Sequence, residues 1–107
     1  MNRGDVWWVE FDPAVGSEIR KTCPAVIVSN NTSNRHLARV QVVPLSSCVE
    51  RVYPSETVVT IAGQRSKVMA DQIMTADKRR LKQTMGKLSL ADMQAVDGII
   101  KLQLGLA

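Results

Sequence analysis

The sequence is poor in the residue types that most metal and acid–base centres need. It contains one histidine and two cysteines among 107 residues. A zinc site takes about three or four nitrogen, sulfur or oxygen ligands, and no such constellation is present. A mechanism that passes protons between two histidines is excluded by the single His36. A glycine-rich phosphate loop is also missing, since Gly16 stands alone. We therefore expect neither a metal nor a cofactor.

Long apolar segments are lacking as well. No segment approaches the roughly 18 apolar residues of a membrane span. The first residues, Met1 to Asp5, include no apolar stretch of the kind found in secretory signals. Cys23 and Cys48 are too few for a disulfide framework. These features predict a cytoplasmic protein with free thiols and no membrane contact.

Positive charge exceeds negative charge. The formal net charge is +4 and the isoelectric point is near 9.4, which favours a polyanionic partner. The cations are clustered: Arg20 with Lys21, Arg35 with Arg39, and residues 78–80 with Lys82. For each cluster taken alone, an ordinary solvated surface is the favoured interpretation.

The length and patterning predict one domain, residues 1–107, that is mainly β. Runs of aromatic, β-branched and alternating residues predict strands at residues 6–12, 24–29, 39–45, 57–61, 66–69, 71–75 and 84–88. Pro44 and the polar pair Ser46-Ser47 are expected to end the third strand, and Gly63-Gln64 to form a hairpin tip. Helical spacing of Leu90, Met93, Val96, Ile100 and Leu104 follows a Ser89 cap and ends at Gly105. The result is a strongly bent antiparallel sheet closed by a C-terminal helix.

Two neighbouring tryptophans stand in the first strand. Strand alternation places Trp7, Val9 and Phe11 on one face and Trp8 on the other. One tryptophan is therefore expected in the core and the other at an interface or binding groove.

The polar residues at strand ends suit phosphoryl chemistry, which depends on positioning and on stabilising developing charge. A carboxylate such as Glu18 or Asp71 can accept a proton, and Ser46 or Ser47 can donate a hydrogen bond to a phosphate oxygen. Arg20 and Lys21 are adjacent cations. They can lower the thiol pKa of Cys23, but no histidine or aspartate partner is visible, so an inert thiol is favoured. These residue types alone leave the reaction open.

The order of short motifs is more specific. The motifs are residues 3–9, 11–13, 16–18, 24–29, 43–47, 53–54, 70–73 and 102–106. In this order they resemble the MazF/PemK/Kid toxins of toxin–antitoxin systems over nearly the whole chain. The resemblance implies an SH3-like β-barrel with a C-terminal helix, a homodimer, and a metal-independent endoribonuclease. Such enzymes cut single-stranded RNA at short sequences, leaving 2′,3′-cyclic phosphate and 5′-hydroxyl ends. A cognate antitoxin blocks them with an acidic C-terminal tail.

The resemblance also implies site residues, position by position. The family's principal catalytic Arg precedes the strand's Pro, and Cys23 occupies that position here. Ser46 matches a catalytic Thr, Glu18 a loop acid, and Asp71 an acid of the Kid branch. That branch has a catalytic Arg where this chain has Met69. The expected substrate-binding residues are Ser17, Arg20, Lys21, Ser47, Arg51 and Gln72.

Because both arginine positions are vacant, we favour a toxin with reduced or absent cleavage, Cys23 being either natural or an attenuating substitution. A divergent active enzyme, with Arg20 or Lys21 in the missing role, is the second interpretation. The third is a catalytically silent RNA- or protein-binding member of the fold. It would resemble gyrase poisons, whose C-terminal aromatic residues are missing here, or SH3-like modules, whose aromatic groove is sparse here.

Overall fold

A computed structural model describes residues 1–11 and 22–106. The chain folds as a curled antiparallel sheet, a half-barrel, against which a C-terminal helix packs. The strands in these ranges are β1 (Asp5–Glu10), β2 (Thr22–Ile27), β3 (Arg39–Ser46), β4 (Glu56–Ile61), β5 (Gln64–Met69), β6 (Met74–Asp77) and β7 (Leu81–Lys87). The helices are α1 (Asn31–His36) and α2 (Leu90–Gln103), and 3₁₀ turns occur at Ala70–Gln72 and Lys78–Arg80. The strand order is β4-β5-β3-β2-β1-β7, and β6 pairs with β3.

The third strand, predicted over residues 39–45, spans Arg39–Ser46, and Pro44 lies within it rather than at its end. β3 pairs with β6 through Val42 and with β5 from Leu45 onward. Pro44 therefore lies where one partner strand replaces the other, and there its missing N–H disturbs the sheet least.

Two further boundaries differ from the prediction. The expected sixth strand begins with the 3₁₀ turn at Ala70–Gln72, so β6 starts only at Met74. The hairpin between β4 and β5 turns at Ala62 and Gly63, whose φ angles are 52° and 77°. Two positive φ angles fit the turn type whose twist matches the flanking strands.

The curled sheet encloses apolar side chains in two groups. We call "first core" the buried group Val6, Val26, Val43, Leu45, Val59, Ile61, Val68, Ala70, Leu88, Met93, Val96 and Ile99. The "second core" consists of Val9, Phe11, Ala25, Ile27, Val40, Val42, Ala76 and Leu81. Trp7 packs against the second core, as the strand alternation predicted. Each fully buried valine contributes about 1.5–3 kcal/mol.

Helix α2 closes the first core. The Ser89 hydroxyl accepts a hydrogen bond from the Asp92 amide at 3.1 Å, which confirms the predicted cap. Met93, Val96 and Ile99 are buried. The predicted helix face was wrong at both ends, because Leu90 is 78% exposed and Leu104 is 52% exposed. The helix packs on β4 and the 3₁₀ turn at Ala70–Gln72, and this support does not cover its two ends.

In the described ranges, no helix is long and apolar enough to cross a membrane.

Candidate functional site

A cavity of about 650 Å³ opens where β1, β2, β3, β5 and β7 converge. Leu45 and Ile61 belong to the first core and also line the cavity, so the cavity continues the apolar interior to the surface. Its described lining consists of Trp8, Thr22, Cys23, Pro24, Leu45, Ser46, Ser47, Cys48, Ile61, Gln64, Ser66, Met69, Gln72 and Met85. Residues from seven separate segments therefore contribute to one surface.

Trp8 reaches this cavity because β1 alternates. Its strand partner in β2 is Pro24, and both residues line the cavity. Trp8 remains 37% exposed. The prediction that one tryptophan belongs to the core and the other to a groove is confirmed.

Ser46 is the last residue of β3, at the rim of the cavity. Its Oγ accepts a hydrogen bond from the Cys48 amide at 3.1 Å. Because this bond uses a lone pair, the hydroxyl keeps its own proton for donation to a ligand. Ser47 follows as an exposed residue of the same wall. The two serines are thus placed as hydrogen-bond donors at the strand end.

Cys23 lies on β2 opposite Val9 of β1. The β2–β3 ladder ends at the Ala25–Pro44 pair, and both Cys23 and Ser46 line the cavity beyond it. The thiol packs against the second core, and burial raises the pKa of Cys23 from 9.0 to about 11. The thiol is therefore neutral at pH 7, as the interpretation of an inert cysteine requires, and supplies neither a charge nor a nucleophile.

The other predicted residues are only partly brought together. Gln72, at the end of the 3₁₀ turn, lines the cavity, whereas its neighbour Asp71 is exposed outside the described lining. Arg51 lies outside this lining too, on the exposed loop between β3 and β4. Predicted residues Ser17, Glu18, Arg20 and Lys21 lie outside the described residues.

A network that the sequence did not reveal holds the loop between β3 and β4. Lys67 Nζ donates to the Arg51 carbonyl at 2.9 Å and pairs with Glu56 Oε1 at 3.1 Å. The same Glu56 oxygen accepts from the Tyr53 amide at 2.9 Å, and Lys67 lies 5.7 Å from the Tyr53 ring centroid. The Lys67 and Glu56 side chains are only 12% and 7% exposed. This buried pair fixes the loop that carries Arg51 beside the cavity.

The basic cluster at residues 78–80 makes contacts of a different kind. Lys78 Nζ donates to the Asn34 carbonyl at the end of α1. Arg79 Nε lies 3.0 Å from Asp77 Oδ1, and the hydrogen bond from Arg79 lowers the pKa of the Asp77 carboxyl. Lys78 thus joins the 3₁₀ turn to α1, whereas the contact of Arg79 stays within the turn that follows β6.

A second cavity, of about 420 Å³, lies beside α2. Its wall contains Arg3, which pairs with Asp97 and donates from Nε to the Val28 carbonyl at 2.9 Å. This pair joins the N-terminal segment to α2. Ile73 and Ile100 complete an apolar part of the same wall.

Metal chemistry gains no support from the described residues, which contain no group of three or more His, Cys, Asp or Glu side chains able to hold an ion. In the described lining of the larger cavity, hydroxyl, thiol and carboxamide groups are present but no carboxylate, ammonium or guanidinium group. The cavity can therefore donate and accept hydrogen bonds. Any charge that acts in it has to come from neighbouring segments.

Comparisons with known proteins identify relatives of this chain. A family model described as PemK-like, MazF-like toxin of type II toxin–antitoxin system matches residues 2–104. The endoribonuclease MazF9 of Mycobacterium tuberculosis is 36% identical over 115 aligned residues, covering 99% of this chain and 98% of that protein. A mycobacterial endoribonuclease solved in complex with its cognate antitoxin has a TM-score of 0.83 and 30% identity over 100% of this chain and 97% of the other. MazF of Deinococcus radiodurans has the same fold, with a TM-score of 0.84 and 24% identity over 98% and 96% of the two chains.

Proposed function

This chain belongs to the PemK-like, MazF-like toxins of type II toxin–antitoxin systems, and on that premise we propose that it is a weakened, metal-independent endoribonuclease acting on single-stranded RNA. Residues 1–107 form its single toxin domain. The products carry a 2′,3′-cyclic phosphate and a 5′-hydroxyl. The observation that carries the proposal is that position 23 and Ser46 line one cavity.

The reaction is an internal displacement at phosphorus. The ribose 2′-oxygen forms a bond to the adjacent phosphorus while the bond to the 5′-oxygen breaks. A base takes the 2′-proton, and the departing 5′-oxygen gains a proton. The candidate bases are the carboxylates of Glu18 and Asp71, of which Asp71 is exposed beside the lining residue Gln72.

Stabilisation of charge on the phosphoryl oxygens is the weak part of this centre. The Ser46 hydroxyl keeps a proton that it can donate to a phosphoryl oxygen. The neutral thiol of Cys23 adds no positive charge in the cavity that the Ser46 hydroxyl lines. Loss of one preorganised donor costs roughly 10²–10³ in rate, which is the basis for proposing weakened cleavage. Arg20 and Lys21 are the cations proposed to supply partial compensation.

The partners follow from the same premise. The substrate is single-stranded RNA or mRNA, and the inhibitor is a cognate antitoxin. The negative charge of its acidic C-terminal tail is complementary to the net charge of +4 on this chain. A homodimer is supported by large apolar side chains that remain exposed on and after α2, three of them close together at its C-terminal end, since exposed apolar surface is typical of interaction sites. These are Leu90 at 78%, Leu102 at 61%, Leu104 at 52% and Leu106 at 59%. We place the protein in the cytoplasm, where its substrate is.

A catalytically silent RNA-binding toxin is the second candidate. It is favoured by the absence of any charged side chain from the described cavity lining. A gyrase-poison-like mode is not favoured, because residues 104–107 contain no aromatic side chain.

One experiment separates these functions. Purified protein is incubated with a single-stranded RNA in EDTA, and the fragment ends are analysed. We expect one fragment to end in a cyclic phosphate and the other to carry a 5′-hydroxyl that polynucleotide kinase labels directly. The Ser46→Ala protein, purified in parallel, controls for contaminating nuclease and should cut far less. RNA that is bound but uncut would identify the silent form, and cleavage that disappears in EDTA would contradict the metal-independent mechanism.

A further inference from the structure

The loop between β3 and β4 begins after Ser46 and ends at Glu56, and one lysine lies beside both ends. Lys67 of β5 is the strand partner of Ser46. It is also the partner of Val58 in β4, two residues after Glu56, and a diagonal neighbour of this kind is within reach of a long side chain. Because side chains alternate along a strand, all four lie on one face of the sheet. The loop of residues 47–55 is therefore flanked at both ends by Lys67.

The ammonium group of Lys67 binds the middle of this loop and the residue that follows it. Nζ donates to the Arg51 carbonyl at 2.9 Å and to Glu56 Oε1 at 3.1 Å. The same carboxylate oxygen accepts from the Tyr53 amide at 2.9 Å, and the Tyr53 carbonyl accepts from the Glu56 amide at 2.9 Å. Nζ also lies 5.7 Å from the centroid of the Tyr53 ring, where a cation is attracted to an aromatic face. Arg51, Tyr53 and Glu56 are thus tied to one charged group.

Stability alone is a poor explanation for this arrangement. The Lys67 and Glu56 side chains are 12% and 7% exposed, and an apolar pair of similar volume often stabilises a fold equally well or better than a buried ion pair. An apolar pair lacks direction, however. An ammonium group offers N–H donors and a carboxylate offers acceptors at defined positions, and here both bind backbone groups of the loop. The charged pair therefore holds the backbone of residues 51 and 53 in one arrangement.

The loop carries groups that the RNA site needs. Ser47 and Cys48 line the larger cavity, and the exposed Arg51 is an expected substrate-binding residue. Arg51 is held at its carbonyl by Lys67, and its Nη1 lies 3.5 Å from the Tyr53 hydroxyl. A long side chain that is already held loses less conformational freedom when it binds a ligand. The contacts of Lys67 therefore prepare Arg51 for binding.

We propose that Lys67 is a positioning residue of the RNA site: with Glu56 it holds the loop so that the Arg51 guanidinium can bind a phosphate of the substrate beside the larger cavity. The inference rests on the proposed function and on the expected contact of Arg51 with RNA, and it adds the pair that orients this contact. Lys67 acts through Arg51 and does not touch the substrate. Loss of the pair should therefore weaken RNA binding only while Arg51 is present.

The pair can be replaced without changing the net charge. Lys67→Met with Glu56→Leu, the neutral double variant, removes one charge of each sign, so that the net charge of +4 is kept, and it leaves no buried charge unpaired. The probe is a short 2′-O-methyl oligonucleotide of mixed sequence, which has no 2′-hydroxyl and cannot be cut. We expect the affinity to fall at least about 10-fold, the size of one charged hydrogen bond. The slope of log affinity against log salt should become shallower by about 0.7, the value for one phosphate contact on a single strand.

A double-mutant cycle identifies the role of the pair. In the unchanged protein, Arg51→Ala should weaken binding by about the same factor. In the neutral double variant it should have little further effect, because the guanidinium is no longer held. Lys87→Met with Asp5→Leu is the matched control, since this pair, 3.5 Å apart, lies outside the described lining of the larger cavity. The control keeps the net charge as well and should leave the affinity unchanged.

Two further measurements separate positioning from a purely structural role. Tyr53→Ala changes a side chain that is 52% exposed and removes the hydroxyl beside Arg51, so it should also reduce the effect of Arg51→Ala. In single-turnover cleavage by the neutral double variant, the RNA concentration at half-maximal rate should rise while the maximal rate constant changes little. A group that only binds RNA acts on the ground state and the transition state alike.

The outcomes distinguish this inference from the proposed function. Equal losses for Arg51→Ala in the unchanged protein, the neutral double variant and the Tyr53→Ala protein would overturn the positioning role. So would an unchanged affinity in the neutral double variant, a loss of equal size in the control pair, or a lower maximal rate constant at unchanged affinity. Salt-dependent RNA binding that Arg51→Ala does not weaken would overturn it too, and in all these cases the proposed function stands. Absence of both RNA binding and RNA cleavage would overturn the proposed function together with the inference.

Discussion

Replacing Cys23 by Arg tests the assignment of the active centre most directly. The native thiol is held neutral by a pKa of about 11, and position 23 lines the same cavity as Ser46. A guanidinium at this position would be permanently charged and able to contact a phosphate through two parallel hydrogen bonds. The apolar stem of the side chain can lie along the second core while the head enters the cavity.

Two effects set the expected size of the change. One restored preorganised donor is worth roughly 10²–10³ in rate. A displacement of about 1 Å would remove about 10² of that gain. Since the β1–β2 ladder pairs position 23 with Val9 and fixes its backbone there, we expect the variant to cleave RNA at least about 100-fold faster.

The assay is single-turnover cleavage of a short fluorescent RNA, with the variant co-expressed with an antitoxin because it should be toxic alone. Ser46→Ala added to Cys23→Arg should undo most of the gain, because both groups act on the same phosphate. Cys23→Ala is the control that removes the thiol without adding charge, and it should leave the rate near that of the unchanged chain.

A folded, dimeric Cys23→Arg protein that cuts no faster would refute the reasoning. In the unchanged chain, an abrupt loss of activity in Arg20→Ala would instead show that Arg20 already supplies the charge.

Three further predictions concern the rest of the molecule. Light scattering at micromolar concentration should show a dimer, and a sole species of 11.8 kDa would contradict the proposed leucine interface. At pH 8, iodoacetamide should modify exposed Cys48 well before Cys23. The pKa of Cys23 lies two units above that of an ordinary thiol, so its thiolate fraction is about 100-fold lower. The raised folded-state pKa stabilises the fold fully below pH 9, and this contribution is lost as pH rises through 11. Lys67→Met should lower the free energy of unfolding by about 3 kcal/mol, because it leaves buried Glu56 without its partner. The double variant Lys67→Met with Glu56→Leu should recover most of the lost stability. An unchanged denaturant midpoint in the single variant would contradict the role given to the pair.

Much of the fold could be predicted locally. Alternation in β1 separates Trp7 from Trp8 because successive side chains point to opposite faces of a strand. The Ser89 cap and Gly105 mark the ends of α2 through hydrogen bonding and backbone conformation within a few residues. The order of motifs likewise identified Cys23 and Ser46 before any contact was known.

Contacts between distant segments had no such local signal. Gln64 and Ser66 come to the cavity of Trp8 from a separate hairpin, and Lys67 meets Glu56 and the Arg51 carbonyl across strands. Periodicity placed Leu90 and Leu104 on the packed face of α2 because it reports which side chains share a face. It does not report how much of that face the sheet covers.

The sequence by itself therefore determined which residues alternate, where α2 begins and ends, and which positions hold the neutral cysteine and the serine. The tertiary structure decided that these positions line one cavity, that the described wall of this cavity carries no charged side chain, and that a buried Lys–Glu pair holds the neighbouring loop. The reason is physical: strand and cap preferences act over a few residues. Register and burial depend instead on pairing segments far apart in the chain, and the packing of the whole sheet selects that pairing.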